Sequence, residues 1–245
     1  ALGYDSADTV GDDPGEMETL PAVHLGKGAL AISAGRYFTC ALLHDGSVKC
    51  WGINTYFQLG VAPDAFGYDE QVGNLPGDME RLGVVPLNGT VVDIATGGQH
   101  ACAIFDTGAL TCWGYSKMPG VPILGDGSNS SRGSTPRQDV VLGEGRSALS
   151  VTAGTYHTCA LLDTGQAKCW GNNNYGNLGL GHTEPVGAAG EVAASPAVHL
   201  GQSMQMCLPP PARPPAMPPA PPTSPMPPFA PPLPPHFPPP LPPHP

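Results

Sequence analysis

The sequence predicts an all-β fold built from repeated hairpins, followed by an extended proline-rich tail. Three observations predict it. A 21-residue pattern recurs three times with its cysteines, a glycine and a tryptophan in register. Each copy centres on a glycine-bearing turn between apolar, strand-forming stretches. Composition then changes abruptly at Leu208.

That change divides the chain into two domains. All 33 glycines and all 20 acidic residues lie in 1–207, a length sufficient for a buried core. Residues 208–245 are 38 in number, of which 22 are proline and one, Arg213, is charged. The net charge of −10 argues against nucleic acid or an anionic membrane surface as a partner, since cationic side chains supply most of the affinity there. No run of 18 apolar residues exists to insert into a bilayer as a helix.

The repeats align at 32–52, 94–114 and 151–171. A Leu-Gly pair opens each unit at Leu2, Leu59, Leu124 and Leu178, giving three whole units and most of a fourth. The phrase Pro-Ala-Val-His-Leu-Gly occurs at 21–26 and again at 196–201. Short strands are expected at 23–25, 30–34, 38–43 and 48–51, and at the matching places in later units.

Nine residues separate Cys40 from Cys50, Cys102 from Cys112 and Cys159 from Cys169. Gly46, Gly108 and Gly165 stand six positions after the first cysteine of each pair. A three-residue hairpin loop ends on a left-handed residue, which suits glycine. With Asp106-Thr107-Gly108 as that loop, Phe105 faces Ala109, and counting outward Cys102 faces Cys112. The same count pairs Cys40 with Cys50 and Cys159 with Cys169. Three steps from a hydrogen-bonded closing pair lies a non-hydrogen-bonded pair, with Cα atoms about 4.5 Å apart, at the short end of what a disulfide spans. Chain-entropy reasoning gives each short loop at most roughly 2.5–3 kcal/mol. Buried thiols are the alternative; zinc sites favour closer cysteine spacing. Persistent disulfides imply an oxidising, extracellular setting. Cys207 is the odd cysteine, unpaired or intermolecular.

The string Gly-x-x-x-Thr-Cys-Ala-Leu-Leu, closing on Lys-Cys-Trp-Gly at 49–52 and 168–171 with Trp113 in register, resembles the regulator-of-chromosome-condensation type of propeller repeat. It is similar too to the units of the bacterial β-lactamase inhibitor protein built as a propeller. The resemblance covers nearly all of 1–201. It implies a partial β-propeller of about three and a half four-stranded blades. It also implies a ring usually closed by seven blades, so further blades are expected from a longer chain or from a neighbouring subunit. An open sheet edge recruits strands, and a head-to-tail contact that does not close makes a filament.

The tail favours polyproline II at about 3.1 Å per residue. It resembles the stalks of hydroxyproline-rich glycoproteins in plant and algal walls and the fibrils of algal flagella. That resemblance implies O-glycosylated hydroxyproline at positions such as Pro210, Pro211, Pro215, Pro219, Pro222, Pro228, Pro232, Pro235, Pro239, Pro240 and Pro243. Met217, Met226, Phe229, Leu233, Phe237 and Leu241 are candidates to dock the tail on partner propellers. Asn88 and Asn129 head N-glycosylation sequons.

No nucleophile elbow, zinc-protease, phosphate-loop or dinucleotide fingerprint is present. His100 and His157 share a repeat position held by Phe38 in the first unit, which assigns them to packing; His24 and His199 likewise share one position. The acidic run Asp5, Asp8, Asp12, Asp13 and Glu16 lacks the order of a calcium loop and reads as solvated. No metal, cofactor or catalytic residue is expected beyond covalent N- and O-linked glycans. The expected function is a non-enzymatic, extracellular structural subunit that self-associates head to tail into a fibril or coat, alone or with other wall or fibril glycoproteins. The alternative is a secreted protein- or glycan-binding module anchored by its tail. Full reduction should add six hydrogens to the intact mass for the cysteines of the three hairpins; a smaller gain would refute the three-bridge scheme.

Overall fold

A computed structural model of the chain describes residues 2–6, 8, 10–61, 71–115, 117–118, 121–122, 124, 139–188 and 190–199. The regular elements are short. Blade 1 runs through β1 (Ala29–Ala34), β2 (Phe38–Leu43), β3 (Val48–Ile53) and β4 (Gln71–Val72). Blade 2 comprises β5 (Val91–Thr96), β6 (His100–Phe105) and β7 (Leu110–Gly114), after which β8 (Lys117–Met118) and β9 (Val121–Pro122) form a small hairpin. Blade 3 comprises β10 (Ala148–Ala153), β11 (His157–Leu162) and β12 (Ala167–Gly171). One-turn helices α1 (Glu16–Thr19), α2 (Asp78–Arg81) and α3 (Glu191–Ala194) lie in the connecting segments.

Each blade is an antiparallel meander in chain order, and the register follows from the turn. The Phe105 amide donates to Ala109 O, closing the Gly108 turn. Cys102 then lies opposite Cys112, Cys40 opposite Cys50 and Cys159 opposite Cys169. Each pair is joined by a disulfide, with Cα–Cα separations of 4.1, 4.0 and 4.1 Å. These are shorter than the 4.5 Å typical of the non-hydrogen-bonded pair, roughly.

The fourth strand is where the fold departs from expectation. Only blade 1 has one among the described residues, and it is two residues long. In blade 3 a single bridge, Gly171 to Val186, stands where Gly52 pairs with Val72 in blade 1. Residues 23–25, expected as a strand, are not one. The physical reason is visible in the segments that run beside each hairpin. Their pairing is brief: Val85 N–H bonds Val48 O, Val140 N–H bonds Leu110 O next to an isolated bridge of Thr111 to Asp139, and Val198 N–H bonds Ala167 O. A proline next to or two residues before the donor, as at Pro86 and Pro196, lacks the amide needed to extend that pairing.

Two apolar cores form, one joining blade 1 to blade 2 and the other blade 2 to blade 3. The inner strands β1, β5 and β10 sit side by side. Blade-to-blade hydrogen bonds repeat: Val91 N–H to Gly46 O at 2.9 Å and Ala148 N–H to Gly108 O at 2.8 Å. The rings of Phe38, His100 and His157 lie over Gly35, Gly97 and Gly154, where a Cβ would come within 2.4, 2.3 and 2.2 Å of a ring carbon. A Cβ on Gly97 would also lie 2.4 Å from the Gly154 carbonyl of the next blade. Gly97→Ala should therefore cost about 2 kcal/mol or more in urea unfolding. Gly83→Ala, where a Cβ meets nothing within 4 Å, should stay within about 0.5 kcal/mol.

Candidate functional site

The histidines bear on what kind of site this fold can hold. His100 is fully buried, and its Nε2 lies 2.9 Å from Thr158 Oγ1 of the next blade. Burial, helped by the neighbouring His157, lowers its pKa to about 4. Burial also lowers that of His157. The His100 ring joins two blades, and burial disfavours the charged form of both rings. Within the acidic run, Asp5 accepts hydrogen bonds from the Gly77 and Met79 amides, and Glu16 from those of Gly11 and Asp13. Those two carboxylates organise backbone, whereas Asp8, Asp12 and Asp13 are exposed as expected. Among the described residues no group of three His, Cys, Asp or Glu is placed to hold a metal ion.

Several structural groups escaped the sequence reading. Lys49 and Lys168, one repeat position, are buried. Lys49 Nζ donates to Met79 O, and Lys168 Nζ to Val192 O and Ala193 O, satisfying carbonyls that helices α2 and α3 leave unpaired. Desolvation lowers both lysine pKa values. An acidic residue after a glycine opens each helix: Glu16, Asp78 and Glu191 all accept from amides of the preceding loop. The Gly-Glu/Asp pattern at 15–16, 77–78 and 190–191 was the available signal.

Asn88 is exposed, beside a groove of about 430 Å³ lined also by Leu87, Phe105, Asp106 and Asp139. Asn129, Cys207, the tail prolines and the six apolar tail residues lie outside the described residues.

The distinctive surface is at the two outer blades. Ile32, Ile94 and Val151 occupy one repeat position on the inner strands. Ile94 and Val151 are 8% and 7% exposed because a blade precedes them, whereas Ile32 is 70% exposed. The opposite end mirrors this. Leu42 and Ile104 are buried under the next blade, and their equivalent Leu161 is exposed. A Cβ on the turn glycines Gly46 and Gly108 would strike Thr90 and Ser147, but on Gly165 it meets nothing within 4 Å. The chain thus presents two apolar faces that are the two halves of its own internal blade interface.

The fold is an array of propeller blades. Its blades are similar to RCC1 repeats. The family profile described as "Regulator of chromosome condensation (RCC1) repeat" matches residues 30–58, 91–118 and 149–177, and a second profile of that description matches 45–104. The chain is 26% identical over 151 residues to the RCC1 domain-containing protein RUG3, mitochondrial, of Arabidopsis thaliana, covering 61% of this chain and 30% of that protein. It is 31% identical over 154 residues to the mouse secretion-regulating guanine nucleotide exchange factor, covering 60% of this chain and 30% of that one. It therefore spans less than a third of the length of either. Human WBSCR16 superimposes with a TM-score of 0.53 at 24% identity, over 65% of this chain and 38% of that chain. Yeast RCC1 (Prp20), crystallised with Kap60 bound, gives 0.51 at 24%, over 72% and 38%. These structural likenesses concern the fold.

Because the folded pKa of His100 lies below 6.5, its contribution is whole above pH 6.5 and is lost as pH falls from there toward about 4. The loss amounts to about 3 kcal/mol. His100→Phe, the residue blade 1 uses, should flatten that acid limb in unfolding measured between pH 7 and 4.

Proposed function

We propose that the chain is a structural subunit of an extracellular glycoprotein fibril or surface coat, joined to its neighbours through the two outer blade faces. The proline-rich tail serves as stalk or tether. One observation carries this reading: Ile32 is 70% exposed where its repeat equivalents are 8% and 7% exposed. Burying such a side chain is worth about 1.5–3 kcal/mol, and the face with the complementary shape is the one at Leu161. Successive blades within the chain already pack in this way, so a second copy can follow blade 3 as blade 2 follows blade 1. That contact is heterologous and propagates head to tail. The three disulfides support an extracellular setting, and the exposed Asn88 supports a glycosylated one.

A protein-binding module is the second reading. What favours it is that yeast RCC1 was crystallised with Kap60 bound and that a mouse relative is named an exchange factor. This chain spans 30% of that mouse protein, and its own partner would sit on the same outer faces.

Sedimentation velocity over a concentration series separates the two. Ile32→Asp and Leu161→Asp should each weaken self-association at least tenfold with little change in melting temperature. Mixed together they should stop at dimers, since each keeps one intact face. Wild-type protein that stays monomeric throughout the series would leave the binding-module reading in its place.

A further inference from the structure

The groove beside Asn88 lies where blade 2 departs from the other two blades. Phe105, Leu87 and Ala109 form its apolar lining, and the exposed carboxylates of Asp106 and Asp139 line it as well. Phe105 holds the turn position that Leu43 and Leu162 hold in blades 1 and 3. Those leucines are 2% and 1% exposed, whereas Phe105 keeps 8% of its surface open, so this ring is the one a ligand can touch. Thr111 also lines the groove, at the position from which Lys49 and Lys168 reach across to helix carbonyls in the other blades. The shorter side chain leaves that space to the groove.

The sequon stands against the same ring. Asn88-Gly89-Thr90 enters β5, whereas the segments entering β1 (His24-Leu25-Gly26-Lys27-Gly28) and β10 (Gly143-Glu144-Gly145-Arg146-Ser147) carry no asparagine. Blade 2 alone therefore combines an aromatic turn residue with an acceptor for sugar. A Cβ on Gly89 would lie 3.0 Å from Phe105 Cδ1, which puts the middle of the sequon on the ring. Thr90 O accepts from the Asp106 amide at 2.9 Å, tying the sequon to the turn. Asn88 is exposed and itself lines the groove, so a sugar on its side-chain nitrogen begins at the groove.

The lining suits a sugar on both of its aspects. A pyranose ring presents an apolar face of C–H groups, which an aromatic or aliphatic side chain can cover. Its hydroxyls and acetamido N–H are donors, and carboxylates are their strong acceptors. The volume of about 430 Å³ falls within the roughly 300–1,000 Å³ of small-molecule sites. A covalently tethered ligand also avoids most of the entropy cost of association, so modest contacts suffice to seat it.

We propose that the Asn88 glycan is a packed part of blade 2. Its first N-acetylglucosamine lies in the groove on Phe105 and Leu87, and Asp106 and Asp139 accept its hydrogen bonds. Segment 86–89 leads from Val85, bonded to blade 1 through Val48 O, to the start of β5. The seated sugar thus braces the passage from one blade to the next. That role rests on the extracellular, glycosylated reading above and adds what the sugar does once attached.

Peptide mapping of the full chain, from its native source and from a secreting eukaryotic host, reads the occupancy of Asn88. Thermal unfolding reads the effect of the sugar. Asn88→Gln should lower the melting temperature by about 2–4 °C, whereas trimming the glycan to its innermost sugar should leave it unchanged. In a Phe105→Leu background, which restores the residue of blades 1 and 3, Asn88→Gln should no longer shift the melting temperature. Nuclear Overhauser contacts should join the acetyl methyl of the sugar to the Phe105 ring protons. A glycan on Asn88 that shows neither the contacts nor the Phe105-dependent shift would overturn the seating and leave the extracellular reading in place. A bare Asn88 on protein recovered outside the cell would also end the seating alone. Native protein found inside cells with Asn88 bare would end both.

Discussion

The contact on which this architecture depends is the close approach of one inner strand to the next. Gly97 is held between the ring of His100 and the carbonyl of Gly154, with no room for a Cβ on either side. That spacing lets Thr96 reach Ser33 Oγ and Asp93 reach the Val151 amide across the blade boundaries. It also brings each hairpin turn to the start of the following blade, so that Gly46 and Gly108 carbonyls accept from Val91 and Ala148. The blades are thereby bound through backbone as well as apolar surface. The same geometry explains why a histidine can stand where blade 1 has phenylalanine. The position selects a flat ring over glycine, and the neutral imidazole finds Thr158 as a partner.

The exposed outer faces follow from repetition. A blade is designed to have a neighbour on both sides, and every copy of the repeat carries the residues for both contacts. Where a neighbour is lacking, the chain cannot revise the pattern locally without losing the register that makes it a blade. Ile32 and Leu161 therefore keep the apolar side chains that their repeat equivalents bury between blades.

The hairpins were legible in the sequence because their determinants are local. Six residues from cysteine to glycine fix the turn, and the turn fixes which residues face each other. The blade count and the inner position of the first strand were legible only through family resemblance. The fourth strand was misjudged because it depends on a few long-range bonds; a stretch such as 196–199 reads as a strand but has a proline and one bond, Val198 N–H to Ala167 O, to work with. Lys49 and Lys168 were invisible for a different reason. Lysine in an alternating strand reads as solvent-facing, and only the one-turn helices, joined through glycines with φ of 82° and 80°, supply the carbonyls that take it inside. Thr111 holds that position in blade 2, so the pattern is also interrupted in the middle copy.

The three bridges each join residues ten apart, across one turn. Every sulfur thus meets its mate while the nascent chain is still forming isolated ribbons, well before any long-range docking. Oxidation and tertiary assembly become separable events. A chain arranged this way escapes the search through scrambled pairings that six thiols would otherwise face, and its rigid tiles are made with only their arrangement left to settle.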